Sequence, residues 1–297
     1  MTEGVDPRYR DLDSWSTSQA ATAIWESQLA AVAAVGPALP AIALAVETAA
    51  ERLSAGAGRI VYAGAGTSGR VAVQDGSELG PTFDWPSERI SFLIAGGPSA
   101  LLHPSEGAED DGDGGAGQAM QATLGPADVL IAVAASGRTP FTLAVAQAAR
   151  RQGTLTIGVC NSPGAPLAST CELGITVDTG PELLAGSTRM KAGTAQKVVL
   201  NMISTQVMIR MGRVHGSYMV EMRPLNDKLR RRAVEMVCQL ARCTPETASD
   251  ALERTGWSIK VAVLVAGGLV AEEAARRLSL ASGNLRVAFK GLDDLGR

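Results

Sequence analysis

Two short segments of the chain combine residue types that can bind an anion. They are "GAGTSGR" at residues 64–70, the first loop, and "AASGRTP" at residues 134–140, the second loop. Their glycines let backbone N–H groups approach a ligand, and their hydroxyl groups stand where a helix should begin. Hydroxyl groups in both loops fit a phosphate monoester better than a pyrophosphate. The candidate ligand-binding residues here are Gly66, Thr67, Ser68, Ser136, Gly137, Arg138 and Thr139.

The first loop also matches the dinucleotide-binding pattern G-x-G-x-x-G, although that match alone is a weak signal. The next apolar run ends in "FLIAGGPS" and lacks the acidic residue that a dinucleotide site places there. Tight turns with capped helices are the alternative interpretation of each loop taken separately. The occurrence of two such loops favours binding of a phosphate group.

A third segment, "GPELLAGSTRMKAGTAQK" at residues 180–197, also leads into an expected helix. Ser187 and Thr188 are placed to cap this helix, and Arg189 and Lys191 fall in its first turn. Cations are unfavourable at the positive end of a helix dipole unless they meet an anion. The segment is therefore either a solvated first turn or a contact to a ligand carboxylate or phosphate.

Five apolar runs are the elements that must position these segments. Each run is continuous rather than alternating, which is typical of strands covered on both faces. Helix-length stretches separate most of them, and right-handed crossovers then predict an α/β fold with a doubly wound five-stranded parallel sheet. Ligands bind beyond the carboxyl ends of such strands, where both loops lie. The runs span residues 59–66, 89–97, 128–137, 155–161 and 173–180.

The remaining regions read as helical. An Ala-rich region from residue 16 to 55 predicts two helices broken at "GPALP" (36–40), and a long helix is expected from about 188 to 212. We expect N-terminal helices, a phosphate-binding α/β domain, a connecting helical segment and a small helical C-terminal subdomain. The predicted boundaries are 1–54, 55–216, 217–243 and 244–297.

Composition and charge limit the kinds of molecule that the protein is expected to bind. Hydrophobic residues make up 46% of the 297 residues and aromatic residues 4%, which suits helices packed closely on a sheet. The net charge is −3, and the one dense basic run is "KLRRR" at 228–232. This balance argues against nucleic acid and anionic membranes as partners. A small anionic molecule fits better.

Other residue counts indicate a soluble cytoplasmic protein without a metal site. The N-terminus lacks the apolar core of a signal peptide, and the apolar stretch at 261–271 is too short to span a bilayer. Two histidines argue against a His-rich metal site. Four cysteines without CxxC spacing are typical of reduced thiols: Cys160, Cys171, Cys238 and Cys243.

Taken together, the motifs resemble a known family. "GAGTSGR" followed by "ASGRTP" resembles the sugar isomerase (SIS) domain. The third segment resembles the signature shared by N-acetylmuramic acid 6-phosphate etherases and the glucokinase regulatory protein. The stretches "TEG…DLDSWST", "EGAED" and "KVVLNMISTQVMI" are similar to bacterial etherases. The similarity runs from about residue 2 to the C-terminus, where the helices resemble a UBA-like end.

The resemblance implies cleavage of the D-lactyl ether of N-acetylmuramic acid 6-phosphate, without a metal or organic cofactor. It also implies a homodimer that recycles cell-wall sugars. The family's two catalytic glutamates fall on Glu78 and Glu109. The chain departs from the family pattern at Gly76 and Gly80, where alanine and proline are usual, and at Ser217, where asparagine is usual.

The implied chemistry fits these residues. An ether at C3 lies β to the C1 aldehyde of the open-chain sugar, so elimination requires a base at C2 and an acid for the departing lactate. The resemblance gives the base role to Glu109. Glu78 ends the first helix, where the negative dipole disfavours ionisation and suits an acid. The lactyl carboxylate also needs a cation, and the sequence does not decide between Arg70, Arg138, Arg189 and Lys191.

Helix length adds a prediction about assembly. Ten helical residues at about 1.5 Å each place Glu78 about 15 Å from the first loop of its own chain. That length exceeds the reach from a sugar's phosphate to its C3, so we expect Glu78 to act on a phosphate held by a partner subunit. Two alternatives stay open: an aldose-ketose isomerase of phosphosugars, and a non-catalytic sugar-phosphate sensor like the regulatory protein.

Overall fold

The computed structural model describes residues 2, 4–103, 105 and 107–289. The chain forms two compact units. The sheet unit comprises Met1–Ser77 and Ser87–Thr205, and the helical unit comprises Glu78–Pro86 and Gln206–Arg297. The domain boundaries expected from the sequence stay a prediction.

Five strands form the sheet that the apolar runs predict. They are β1 (Ile60–Gly64), β2 (Ile90–Ile94), β3 (Val129–Ala134), β4 (Leu155–Cys160) and β5 (Leu173–Thr176). All neighbouring strands are parallel, and their order is β2-β1-β3-β4-β5. Every residue of β1, β3 and β4 is buried, which explains why these runs lack polar alternation. The predicted α/β fold with a five-stranded parallel sheet is confirmed.

Helices connect and flank these strands and form the helical unit. In chain order they are α1 (Thr17–Ala33), α2 (Leu39–Ser54), α3 (Gly66–Ser77), α4 (Leu79–Phe83), α5 (Gly112–Gln121), α6 (Pro140–Arg151), α7 (Pro166–Thr170), α8 (Lys191–Arg210), α9 (Asp227–Ala241), α10 (Pro245–Arg254), α11 (Ile259–Ala266), α12 (Ala271–Leu280) and α13 (Leu285–Ala288).

The strand order brings the two glycine loops together. The direction of winding reverses between β1 and β3, which are neighbours in the sheet. Gly64 at the end of β1 pairs with Val133 near the end of β3. The first and second loops therefore leave adjacent strands at the same edge of the sheet.

The N-terminal helices lie in the sheet unit. Ser16 and Gln19 form a capping box at the start of α1, and a 3-10 turn at Gly36–Ala38 separates α1 from α2. Within the described part of the chain, the stretch Thr17–Ser54 is long and apolar enough to cross a membrane, by length and composition alone. This is weak support for a membrane span, because core helices pass the same test. One face of α2 is indeed buried, including Ile42, Val46 and Leu53.

The helical unit has its own hydrophobic core. Helices α9 to α13 contribute buried apolar side chains such as Val237, Leu252, Val263 and Leu285. A two-stranded hairpin, β6 (Val214–His215) and β7 (Tyr218–Met219), precedes these helices.

Candidate active site

The first loop brings the end of β1 into close contact with the first turn of α3. A Cβ placed on Gly69 would lie 2.9 Å from the carbonyl oxygen of Gly64, so a side chain has no room there. Gly66 has a φ of 52°, a left-handed conformation that favours glycine. Ser68 follows in the first turn of α3 and is 7% exposed. The loop thus presents backbone N–H groups at a helix start, where an anion is favoured.

The second loop is built in a similar way. Gly137 has a φ of 62°, and a Cβ there would lie 2.5 Å from Cβ of Ala165. The hydroxyl of Ser136 accepts a hydrogen bond from the backbone N–H of Arg138 at 3.2 Å. The side chain of Arg138 is exposed, and α6 begins two residues later at Pro140. The loop therefore carries an exposed guanidinium beside the start of a helix.

Glu109 lies between the two loops. Its backbone carbonyl accepts a hydrogen bond from the N–H of Phe141, in the first turn of α6, at 3.0 Å. Its Oε1 atom lies 3.0 Å from the position of a Cβ on Gly66. The residue is thus fixed to the helix after the second loop while its carboxylate covers the first. No local sequence pattern separates Glu109 from the neighbouring acids; of these, Asp111 caps α5.

The third segment differs from the sequence expectation in two respects. Helix α8 begins at Lys191 rather than near residue 188, and its cap is Glu182 rather than a hydroxyl group. The buried Glu182 carboxylate accepts hydrogen bonds from the N–H groups of Lys191 at 2.8 Å and Ala192 at 2.9 Å. Sequence reasoning missed this residue because ordinary capping patterns operate within three residues, whereas Glu182 lies nine residues before the helix. Two backbone donors at this helix start are therefore already occupied.

This segment still lies beside the first loop. Cγ2 of Thr67 is 3.5 Å from the position of a Cβ on Gly193, in the first turn of α8. Ser187 and Thr188, which lie three to four residues before the helix, are half-buried. The structure thus brings the first turn of α8 to the loop that leaves β1.

The sequence offers four cations as partners of a ligand carboxylate. Two of them donate to backbone carbonyls, and two have exposed side chains. Arg70 donates to the carbonyl oxygens of Leu101 and Ala100. Lys191 is 5% exposed and donates to the carbonyl of Thr179 at 2.7 Å. Arg138 and Arg189 have exposed side chains.

Burial affects the protonation of Lys191. It lowers the pKa of this ammonium group, although the carboxylates of Glu182 and Asp6 act in the opposite direction. The Thr179 carbonyl fixes the same group in place. Lys191 therefore joins the start of α8 to the end of the sheet, whatever contact it makes with a ligand.

Glu78 follows α3 directly, as expected, but the chain does not leave helical structure there. Gly80 and Pro81 lie inside α4, and Glu78 occupies the N-cap position of that helix with an exposed side chain. The acid role expected for Glu78 depends on the negative end of α3 alone. Because Glu78 also precedes the positive end of α4, the two dipoles oppose each other. The position of Glu78 at a helix end therefore gives no support to its role as the acid, and that role stays a prediction.

A metal centre was not expected from the sequence. Across residues 2, 4–103, 105 and 107–289, no group of three or more His, Cys, Asp or Glu side chains is arranged to hold a metal ion.

Comparison with known proteins identifies the family. A model of the glucokinase regulatory protein N-terminal SIS domain matches residues 41–150, and a SIS-domain model matches residues 112–205. The N-acetylmuramic acid 6-phosphate etherase of Deinococcus radiodurans is 47% identical over 296 residues, which cover 99% of this chain and 97% of that protein. The chain belongs to the N-acetylmuramic acid 6-phosphate etherase family. The resemblance stated from the motifs is confirmed.

A second etherase has a similar sequence identity and coverage. The etherase of Cutibacterium acnes is 44% identical over 97% of this chain and 94% of its own length. Among solved structures, a phosphoheptose isomerase from Francisella tularensis has a TM-score of 0.49 and 18% identity, covering 66% of this chain and 100% of that one.

One departure from the etherase pattern has a structural explanation. The family commonly has alanine where this chain has Gly76. A Cβ at this position would lie 2.6 Å from Cε1 of Phe92 and 2.8 Å from Cε2 of Tyr62. The two aromatic rings stack with their centroids 5.9 Å apart and fill the space that an alanine would need. The etherase alanine therefore does not fit this chain without a shift of α3 or of the rings.

Proposed function

We propose that this chain cleaves the D-lactyl ether of N-acetylmuramic acid 6-phosphate to N-acetylglucosamine 6-phosphate and D-lactate. The observation that carries the proposal is the position of Glu109, whose carboxylate covers the first loop while its backbone is bonded to the helix after the second. A base is thus available beside two phosphate-type loops. The names of relatives up to 47% identical over nearly the whole chain support the same reaction.

The loops supply the binding. Backbone N–H groups of the first loop and the hydroxyl groups of Thr67 and Ser68 bind the phosphate monoester, with Ser136 and Thr139 from the second loop. The phosphate fixes one end of the open-chain sugar and places C2 near Glu109. Binding energy at the phosphate, which does not react, then contributes to orientation at the reacting carbons.

The reaction is an elimination followed by a hydration. The C1 aldehyde acidifies the proton on C2, and Glu109 removes this proton as the base. The bond between C3 and the lactyl oxygen breaks, and that oxygen takes a proton from Glu78. Water then adds its hydroxyl to C3 and a proton to C2 across the new double bond. The hydroxyl at C3 and the free lactate account for both products.

A second copy of the chain completes the site in this proposal. Helix α3 contains 12 residues, and at about 1.5 Å per residue it is about 18 Å long. Glu78, which follows α3, is therefore too far from the first loop of its own chain to reach C3 of the same sugar phosphate. We infer a homodimer in which Glu78 of one subunit acts on the sugar whose phosphate is bound by the other subunit.

The buried thiols support a proposal about where the protein works. Cys160 and Cys171 are buried, unpaired thiols, and burial raises the pKa of Cys171 to about 12. Such inert thiols suit a reducing compartment. We therefore propose that the enzyme works in the cytoplasm on an internal sugar phosphate.

A direct assay tests the function. Purified protein is incubated with N-acetylmuramic acid 6-phosphate, and D-lactate and any ketose phosphate are measured, with Glu109→Gln as the matched control. We expect lactate from the unaltered chain and almost none from the variant. Ketose without lactate would indicate a phosphosugar isomerase. Sugar-phosphate binding without either product would indicate a sensor.

Mixed dimers test the shared site. Subunits carrying Glu78→Gln are combined with subunits carrying Glu109→Gln, each inactive alone. If Glu78 acts across the interface, mixing the two recreates one site with both glutamates, and lactate release returns. A mixture no more active than its parents contradicts the shared site without affecting the assignment of the reaction.

A further inference from the structure

The last turn of α3 carries a buried carboxylate that the mechanism above does not use. Asp75 is 2% exposed and stands three residues before Glu78. Its Oδ2 accepts a hydrogen bond from the hydroxyl of Tyr62, on β1, at 3.0 Å. Its Oδ1 accepts one from Nδ2 of Asn201, on α8, at 2.6 Å. Nζ of Lys197, also on α8, forms an ion pair with Oδ1 at 3.4 Å.

These contacts explain the motif "KVVLN" on α8, which takes no part in the two glycine loops. In "KVVLN", Lys197 and Asn201 are four residues apart and therefore share one face of α8. Both reach the same oxygen of Asp75. The carboxylate thus joins the end of α3 to the sheet on one side and to α8 on the other.

Close packing fixes the same turn from a further direction. Gly76 lies so near the stacked rings of Tyr62 and Phe92 that a Cβ there would be within 3 Å of both, at 2.8 and 2.6 Å. The backbone of α3 therefore rests directly on the aromatic pair. Sliding or rotation of this turn breaks the Asp75 hydrogen bonds or forces the helix into the rings.

The hydroxyl of Tyr62 is a dependable donor in this network. Tyr62 is fully buried, and burial together with the Asp75 charge raises its pKa well above the ordinary value. The phenol therefore stays protonated throughout the neutral range and keeps donating to Asp75.

We propose that Asp75 and Gly76 are positioning residues that hold the end of α3, and with it the backbone from which Glu78 extends, in the geometry that the elimination requires. The inference rests on the proposed function, because Glu78 needs exact placement only if it takes part in the reaction. Displacement of a reacting group by about 1 Å can lower the rate about a hundredfold. A network that fixes the helix end should therefore control turnover more than binding.

A second buried aspartate of the sheet unit provides a matched control. Asp128 is 6% exposed and accepts hydrogen bonds from the backbone and guanidinium of Arg59 and from the N–H of Gly125. It directly precedes β3, so it lies at the amino end of the strands, opposite the loops. Asp128→Asn disturbs a comparable network without touching the end of α3.

The experiment compares Asp75→Asn with Asp128→Asn in the full chain. Lactate release gives kcat and KM, calorimetry gives the affinity for N-acetylglucosamine 6-phosphate, and a thermal melt gives Tm. We expect Asp75→Asn to lower kcat about tenfold to a hundredfold with little change in phosphosugar affinity. Asp128→Asn should lower Tm and leave kcat near that of the unaltered chain. An unchanged kcat in Asp75→Asn, or equal losses of kcat in both variants, overturns the proposal.

Two milder changes keep the test decisive if Asp75→Asn fails to fold. Tyr62→Phe removes one donor and keeps the ring, and it should lower kcat by a smaller factor. Gly76→Ala should also lower kcat, and Phe92→Ala in the same chain should restore part of the loss by making room. Full activity in both single variants contradicts the proposal. Absence of lactate from the unaltered chain contradicts the proposed function instead.

Discussion

The Glu109 carboxylate contacts the position that a Cβ on Gly66 would occupy. Its Oε1 atom is 3.0 Å from the Cβ position of Gly66, which is itself in a left-handed conformation. The left-handed backbone thus favours glycine at this position, and a Cβ there would press against the neighbouring carboxylate. The base proposed for C2 and the loop proposed for the phosphate are therefore built as one unit.

Gly66→Ala tests this relationship. The new methyl group crowds the carboxylate, and a left-handed alanine costs about 1 kcal/mol in free energy of unfolding. We expect a loss of most lactate release with a fall in Tm of only a few degrees, measured by enzyme assay and thermal melt. The control is Gly117→Ala in α5, where a Cβ meets open space. Normal activity in Gly66→Ala would mean that the carboxylate can move without consequence.

Glu182→Gln tests the cap of α8. The variant keeps the shape of the side chain but loses its charge, which interacts favourably with the positive helix end and with two backbone N–H groups. We expect the free energy of unfolding to fall by about 1–2 kcal/mol in chemical denaturation. Glu172→Gln, at an exposed position, is the control and should change little. Equal stability of the two variants would rule out the capping role.

Most of the fold follows from the sequence because buried parallel strands leave continuous apolar runs. All five strands lie within the predicted runs, and the glycine loops mark the ends of β1 and β3. Local pattern failed where a contact is distant in sequence. Glu182 caps a helix nine residues away, and Asp75 meets Asn201 across 126 positions. Such contacts depend on the completed sheet.

The two glutamates show the same limit. The acids around Glu109 look alike in sequence, and its carbonyl contact with Phe141 exists only once α5 and α6 are packed. The sequence places Glu78 correctly at the end of α3, but it does not reveal that α4 follows at once. Pro81 is tolerated because it lies in the first turn of α4, where its missing N–H would have had no helical partner. Chemistry alone could not have selected either residue from its neighbours.

The stability contributed by Asp128 should depend on pH. Burial disfavours its ionisation, but hydrogen bonds from Arg59 and Gly125 outweigh this effect and lower its pKa below the ordinary value. A lowered pKa in the folded state contributes stability above the unfolded pKa of about 3.9, and this contribution is lost as pH falls through the folded pKa. The Tm difference between the unaltered chain and Asp128→Asn should therefore be largest near neutral pH and shrink below about pH 4. A constant difference across this range would show that ionisation contributes nothing.

Arg138 and Arg189 are the cations that remain available for the lactyl carboxylate, since Arg70 and Lys191 donate to backbone carbonyls. Replacing the responsible arginine with alanine should raise KM for N-acetylmuramic acid 6-phosphate about tenfold, the value of one charge-assisted hydrogen bond. Binding of N-acetylglucosamine 6-phosphate, which has the phosphate but no lactyl group, should stay the same. Calorimetry with this product separates the two roles: weaker product binding assigns the arginine to the phosphate. If KM is unchanged in both Arg138→Ala and Arg189→Ala, Arg70 or Lys191 binds the lactyl carboxylate instead.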